Sequence, residues 1–172
     1  MPELFRRTDA YKMKDNVFKL IDLDWMLVTA GTPARWNTMT ASWGGLGVLW
    51  NRPVSFVFVR PTRYTYEFME AGERFTLSFF TKTYRKALTF CGSKSGRVVD
   101  KAKETGLEPV SAFKDTVTFR QARLVLVCRK LYTTDIDPGR FLDPKTDIHY
   151  PKKDYHRMYI SEITRCLVKA GR

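Results

Sequence analysis

The sequence predicts a mainly β fold, an antiparallel barrel with helical insertions, on three observations. Phe, Tyr and Trp make up 14% of the chain and crowd into short runs, which favours strands over long helices. Short apolar runs closed by Gly or Pro recur in the first and last thirds. Helical signals gather in the middle instead of alternating with strands, which argues against a doubly wound parallel sheet. With 172 residues, 44% of them hydrophobic, the chain suits a single domain spanning residues 1–172.

The first strand candidates are residues 23–31 (LDWMLVTAG), 37–43 (NTMTASW), 47–50 (GVLW) and 53–61 (PVSFVFVRP). The run VSFVFV is apolar almost throughout, as expected of a central strand covered on both faces. In RFTLSFF, Phe75, Leu77 and Phe79 alternate with Thr76 and Ser78, which predicts a strand with one wet face. The glycines in WGGLG are read as a turn returning the chain as the next strand.

After Pro61, Thr62 can cap a helix that carries Tyr64, Phe68 and Met69 on one stripe and stops at Gly72. Thr83 can cap a second, with Tyr84, Leu88 and Cys91 on one face and Gly92 as its stop. Residues 95–106 offer a third. Residues 117–135 and 155–170 then read as long strands, separated by a loop rich in Pro, Asp and Lys over residues 137–154. No internal repeat or low-complexity tract is present.

Lys and Arg outnumber Asp and Glu by 30 to 18, a net charge of +12, so an anionic partner is expected: nucleic acid, an anionic membrane surface or a phosphorylated small molecule. The basic residues are scattered, with no run beyond pairs such as Arg6-Arg7 and Lys152-Lys153, as on an ordinary solvated surface. Cys91, Cys128 and Cys166 lack the spacing of a thiolate metal site or a disulfide framework. The N-terminus lacks an apolar leader, and no stretch approaches the ~20 apolar residues of a membrane span. A soluble, cytoplasmic protein is expected.

Two histidines, His149 and His156, leave little for a nucleophilic triad. G-x-S-x-G, Walker A and H-E-x-x-H are absent, and GGLGVLW does not satisfy the dinucleotide fingerprint G-x-G-x-x-G. Two polar stretches do carry chemistry. Asn37, Thr38, Thr40 and Ser42 line an extended chain beside Met39 and Trp43, which suits a planar heteroaromatic ring lying against a strand. RPTRYT supplies Arg60, Thr62, Arg63 and Thr65 where a strand becomes a helix, and helix N–H groups, helix dipole and guanidinium all favour a phosphate. Taken alone, the commoner outcome for such a stretch is a helix cap and a surface charge.

Together, residues 37–80 (NTMTASW through FTLSFF), RKALTFCGSKSGRVVDKAKETGLEP and DYHRMYISEI resemble the flavin reductase-like family of FMN-binding split-barrel proteins, which includes flavoredoxins. The resemblance implies a six-stranded Greek-key split barrel, a homodimer, and FMN held non-covalently near the subunit interface. It implies that Asn37, Thr38, Met39, Thr40, Ala41, Ser42 and Trp43 face the flavin. Arg60, Pro61, Thr62, Tyr64 and Thr65 form the next flavin segment, with the phosphate contact among Arg60, Thr62 and Thr65. Ser95, Gly96 and Lys101 lie close to the cofactor or the nicotinamide entrance, and His156 faces the flavin or the nicotinamide. The chain departs from the family pattern at Ser161, where glycine is usual, and at Val98, where a polar residue is common.

The implied activity is hydride transfer from NAD(P)H to FMN and onward delivery of electrons to an acceptor. Two alternatives stand beside it. One is an FMN-binding electron carrier with no significant NAD(P)H oxidation of its own, docking an acidic redox partner through its basic surface. The other is a basic β-barrel that stacks nucleic-acid bases on its aromatic residues.

Overall fold

The structure is a computed structural model that describes residues 4–171. Among them ten strands form: β1 (Phe5–Thr8), β2 (Met26–Thr32), β3 (Arg35–Ala41), β4 (Gly44–Leu49), β5 (Arg52–Val59), β6 (Arg74–Phe79), β7 (Pro109–Ser111), β8 (Val117–Phe119), β9 (Leu124–Asp135) and β10 (Arg157–Lys169). Three α-helices lie between them: α1 (Tyr64–Ala71), α2 (Arg85–Ser93) and α3 (Lys101–Thr105). No helix among the described residues is long and apolar enough to cross a membrane.

Eight strands make one antiparallel sheet in the order β3-β2-β6-β9-β10-β5-β4, with β1 added to β10. The two ends of that order, β3 and β4, do not pair, so the barrel is split. β10 bends at register shifts between Ile160 and Ser161 and between Ile163 and Arg165, where an extra residue sharpens local twist and lets the sheet curl. Period-two alternation along β9 sends Leu124, Leu126 and Cys128 to the barrel interior with Val28, Leu77 and Tyr159. It sends Val125 and Val127 outward, to Leu27, Leu88, Cys91 and Phe119 beneath α2 and β8.

The mainly β class stands, but the main sheet holds eight strands where six were expected. The expected wet face of β6 is covered. Thr76 donates to the Val117 carbonyl at 2.6 Å and Ser78 pairs with Thr118 at 2.8 Å, because the β7–β8 hairpin packs over that face. The glycines of WGGLG lie inside β4, and the tight turn into β5 falls at Trp50 and Asn51, both at positive φ. A Cβ on Gly45 or Gly47 would sit 3.6 or 3.7 Å from the Phe56 ring, an ordinary van der Waals contact. β5 is covered on one face only, with Phe56 and Phe58 half-buried on the other.

The helices also begin and end differently from expectation. Arg63, not Thr62, occupies the N-cap of α1. A 3-10 turn at Lys82–Tyr84 precedes α2, and Gly92 lies within that helix. Of residues 95–106 only Lys101–Thr105 is helical, capped by Asp100, whose carboxylate accepts from the Lys103 N–H at 3.1 Å. The 137–154 loop is ordered by two 3-10 turns, Pro138–Arg140 and Pro144–His149.

Candidate functional site

β3 is an edge strand, paired only with β2, so its outer backbone N–H and C=O groups are open to other partners. It walls two cavities that meet at Met39 and Arg63. The wider, about 230 Å³, runs along residues 39–43 and is closed by Phe58, Arg60, Gly92 and His156. The narrower, about 100 Å³, lies between Asn37, the start of α1, residues 93–96 and Lys101.

Aromatic groups shape the wider cavity. The Trp43 ring stands 5.3 Å from each of the His149 and His156 rings. His156 Nδ1 is 2.8 Å from the Tyr150 hydroxyl. Phenol and ring nitrogen share one hydrogen bond, which fixes the orientation of the imidazole. Burial, with Arg60 nearby, pushes the His156 pKa down to about 4, so the ring is neutral at neutral pH. Arg60 is committed elsewhere. Its guanidinium pairs with Asp154 at 2.8 Å, donates to the His149 carbonyl at 2.8 Å and stacks over Tyr150 at 4.9 Å, fastening the 149–154 segment to the end of β5.

Cations shape the narrower cavity. The Lys101 ammonium, buried to 6% exposure, donates to the carbonyls of Thr38 at 2.6 Å and Cys91 at 2.8 Å, joining β3 to α2. Burial pulls its pKa down to about 8, with the Arg63 charge adding to the effect. Arg63 donates to the Gly92 carbonyl at 2.8 Å, and burial followed by the charge of Arg60 lowers its pKa, although a guanidinium stays charged. Among the described residues neither Arg63 nor Lys101 forms an ion pair, and no carboxylate among them lines either cavity. Two desolvated cations without counter-ions call for an anion. The N-cap and first residues of α1, Arg63, Tyr64 and Thr65, line the same space.

Most residues singled out by sequence gather here. Met39, Thr40, Ala41, Ser42, Trp43, Arg60 and His156 line the wider cavity. Asn37, Met39, Thr62, Tyr64, Thr65, Ser95, Gly96 and Lys101 line the narrower one. Thr38 does not, since its hydroxyl turns inward to Thr29 at 2.8 Å, and exposed Pro61 lines neither. Several side chains are bonded internally: Asn37 donates to the Thr65 hydroxyl at 2.8 Å, and Thr40 donates to the Leu88 carbonyl at 2.5 Å. Phe58, Gly92, Ser93 and Lys94 also line the cavities and were not among the expected site residues, while Arg63, expected from the RPTRYT junction but not from the resemblance, lines both. Arg63 had a sequence signal, a second arginine at a strand-to-helix junction, whereas Phe58 looked like ordinary strand core.

A split barrel with an anion-seeking cleft along an edge strand defines the class, and the sequence match narrows it. Residues 23–172 match the flavin reductase like domain, and the chain belongs to that family. Among solved structures, the FMN-binding domain of a flavin reductases-like enzyme from Shewanella baltica has TM-score 0.69 and 19% identity, over 96% of this chain and 77% of that one. Flavoredoxin from Methanosarcina acetivorans has TM-score 0.66 and 23% identity, over 92% and 75%. An FMN-binding protein from Thermus thermophilus with bound p-hydroxybenzaldehyde has TM-score 0.67 and 18% identity, over 95% and 83%. No curated protein matches the chain by sequence.

Proposed function

We propose that the chain binds FMN along β3, takes hydride from NAD(P)H onto that flavin and passes the electrons to an acceptor. The observation that carries this reading is the pair of cations without counter-ions, Arg63 and Lys101, in a narrow cavity that opens at Met39 into a wider, aromatic one. A phosphate at one end and a planar ring at the other fit that pair of cavities. FMN supplies reversible two-electron chemistry when bound.

The residues present fit the group. Arg63, Lys101, Lys94, the hydroxyls of Ser93 and Ser95 and the first turn of α1 would hold the phosphate. The ring would lie beside residues 39–43, its polar edge meeting the free backbone groups of an edge strand, with Trp43 and Phe58 covering its apolar parts. A Cβ at Gly92 would come within 3.2 Å of the Thr40 Cβ and fill the cradle between α2 and β3. His156 offers a neutral imidazole as hydrogen-bond partner to the flavin, the nicotinamide or the electron acceptor.

The open face of β5, with half-buried Phe56 and Phe58 beside exposed Trp50 and Tyr132, supports a homodimer with the flavin near its interface. The structural likeness to a flavoredoxin and the net charge of +12 favour an acidic protein as electron acceptor in the carrier reading. Anaerobic mixing of the FMN-loaded protein with NADH or NADPH tests the reductase reading. Bleaching of the flavin bands by either nicotinamide supports it. A loaded flavin that neither nicotinamide reduces leaves the carrier reading in its place.

A further inference from the structure

Lys101 is the one buried lysine among the described residues, and the flavin reading uses only its charge. The side chain also presents a nucleophile. Its ammonium donates to the Thr38 carbonyl on β3 at 2.6 Å and to the Cys91 carbonyl on α2 at 2.8 Å, which takes up two of its three protons and leaves the remaining tetrahedral position of the nitrogen to the narrow cavity that Lys101 lines. Loss of the third proton keeps both hydrogen bonds. The lone pair it uncovers is directed at that cavity.

Burial eases that loss: it lowers the pKa to about 8, with Cys91 opposing the shift and Arg63 adding to it, so about half of the chains carry the free amine at pH 8. A desolvated lysine beside a second cation is the setting in which an amine becomes a nucleophile near neutral pH. The cavity, about 100 Å³, has room for a molecule of a few heavy atoms, since ~10–15 Å³ already holds a water. Arg63, Ser93 and Ser95 line it beside Lys101. The electrophile suited to this place is small and uncharged on entry and becomes an anion on reaction, because the product then gives Arg63 a counter-ion. An aldehyde does not, since its protonated Schiff base stays cationic. Lys130 makes the contrast: burial lowers its pKa too, but the charge of Glu70 acts on it, and a new anion there would meet a carboxylate.

We propose that Lys101 is a carbon dioxide site, at which the amine of the flavin-free protein forms a carbamate that pairs with Arg63. The nitrogen lone pair bonds to the carbon of carbon dioxide, one C=O electron pair moves onto oxygen, and a proton leaves the nitrogen for water. One amine and one carbon dioxide thus give one carbamate and one proton, with no oxidant or reductant. The carbamate nitrogen keeps an N–H for one of the two carbonyls, and its oxygens face the guanidinium. The site needs no flavin, but a carbamate and a flavin phosphate claim Arg63 alike, so carbon dioxide competes with FMN.

The test incubates the flavin-free full chain with carbon-13-labelled bicarbonate, which equilibrates with carbon dioxide, at pH 8 and constant ionic strength. Carbon-13 resonance detects the carbamate, and ethylation with triethyloxonium ion followed by peptide mass spectrometry locates it. The labelled adduct should map to Lys101 ahead of every other lysine, a result that needs no variant, and the carbamate resonance should be lost in Lys101→Met. Bicarbonate should also weaken FMN binding, about twofold where half of the chains are modified. No adduct at Lys101, equal labelling of the exposed lysines, or a resonance unchanged in Lys101→Met would overturn the proposal. An adduct at Lys101 that FMN does not displace would support the carbon dioxide site and remove Lys101 from the flavin reading.

Discussion

Raising the pH through about 8 should weaken FMN binding, because it removes the proton from Lys101. That ammonium is buried against two carbonyls beside Arg63, and its pKa sits at about 8 in the free protein. A phosphate monoester has already lost its second proton near pH ~6, so between pH 7 and 9.5 the charge on the phosphate is constant. Arg63 stays charged throughout, and burial holds the Cys91 thiol up at about 11, leaving Lys101 as the group that titrates. The dissociation constant should therefore be flat up to pH 8 and then rise, approaching tenfold per pH unit for loss of one required proton. Replacing Lys101 by methionine should cost about 1.5–3 kcal/mol of binding at pH 7, the size of a charged hydrogen bond, or ~10- to 100-fold, and should flatten the profile. Folding responds with the opposite sign. The folded pKa lies below the ordinary lysine value, so the unfolded chain holds the proton longer and Lys101 contributes stability as pH rises above about 8. Equilibrium dialysis of FMN at half-unit pH steps checks the binding profile. A wild-type constant that is level from pH 7 to 9.5, or a Lys101→Met profile with the wild-type slope, would refute the reasoning.

Arg63→Gln keeps a donor for the Gly92 carbonyl but removes the charge, so FMN affinity should fall ~10-fold or more with the melting temperature little changed; dialysis and thermal melts check both. Gly96→Ala should push residues 95–100 off β3, because the new Cβ would meet Asn37 Oδ1 at 1.9 Å, and flavin affinity should drop while the far-ultraviolet dichroism stays constant. Ser161→Ala should raise stability by about 1 kcal/mol in urea titrations, because the Ser161 hydroxyl is buried with no hydrogen-bond partner among the described residues. Alanine at both Asn37 and Thr40 should weaken FMN binding and also cost roughly 1–2 kcal/mol of stability, since those side chains bond to α1 and α2.

Much of the β architecture could be read from sequence, because alternation and Gly or Pro punctuation are local signals. Thr76 and Ser78 could not be placed by those signals: their alternation describes a half-wet strand, and only the return of β8, some forty residues later, gives each hydroxyl a buried partner. The cap of α1 shifted by one residue for a similar reason, since Thr62 faces Asp154 across the fold at 3.5 Å instead of its own helix. Within the candidate site, the 37–43 strand and the 60–65 junction were found through their polar residues. Their detailed tasks were not, because Asn37, Thr40 and Arg60 are all engaged by distant partners. Lys101 was found through family resemblance, but what makes it distinctive, a buried ammonium with no carboxylate, emerges only when α3 meets β3. Tyr150 gave no signal at all: its hydrogen bond to His156 depends on a loop folding back six residues to reach the ring.

The central claim is that β3 and α1 hold a flavin by its phosphate, and the most direct test compares FMN with riboflavin, the same ring system without the phosphate, by equilibrium dialysis at pH 7. The account predicts that FMN is retained and that riboflavin binds at least ~10-fold more weakly, since it forfeits the charged contacts to Arg63 and Lys101. Equal affinity for the two, or no retention of either, would contradict it.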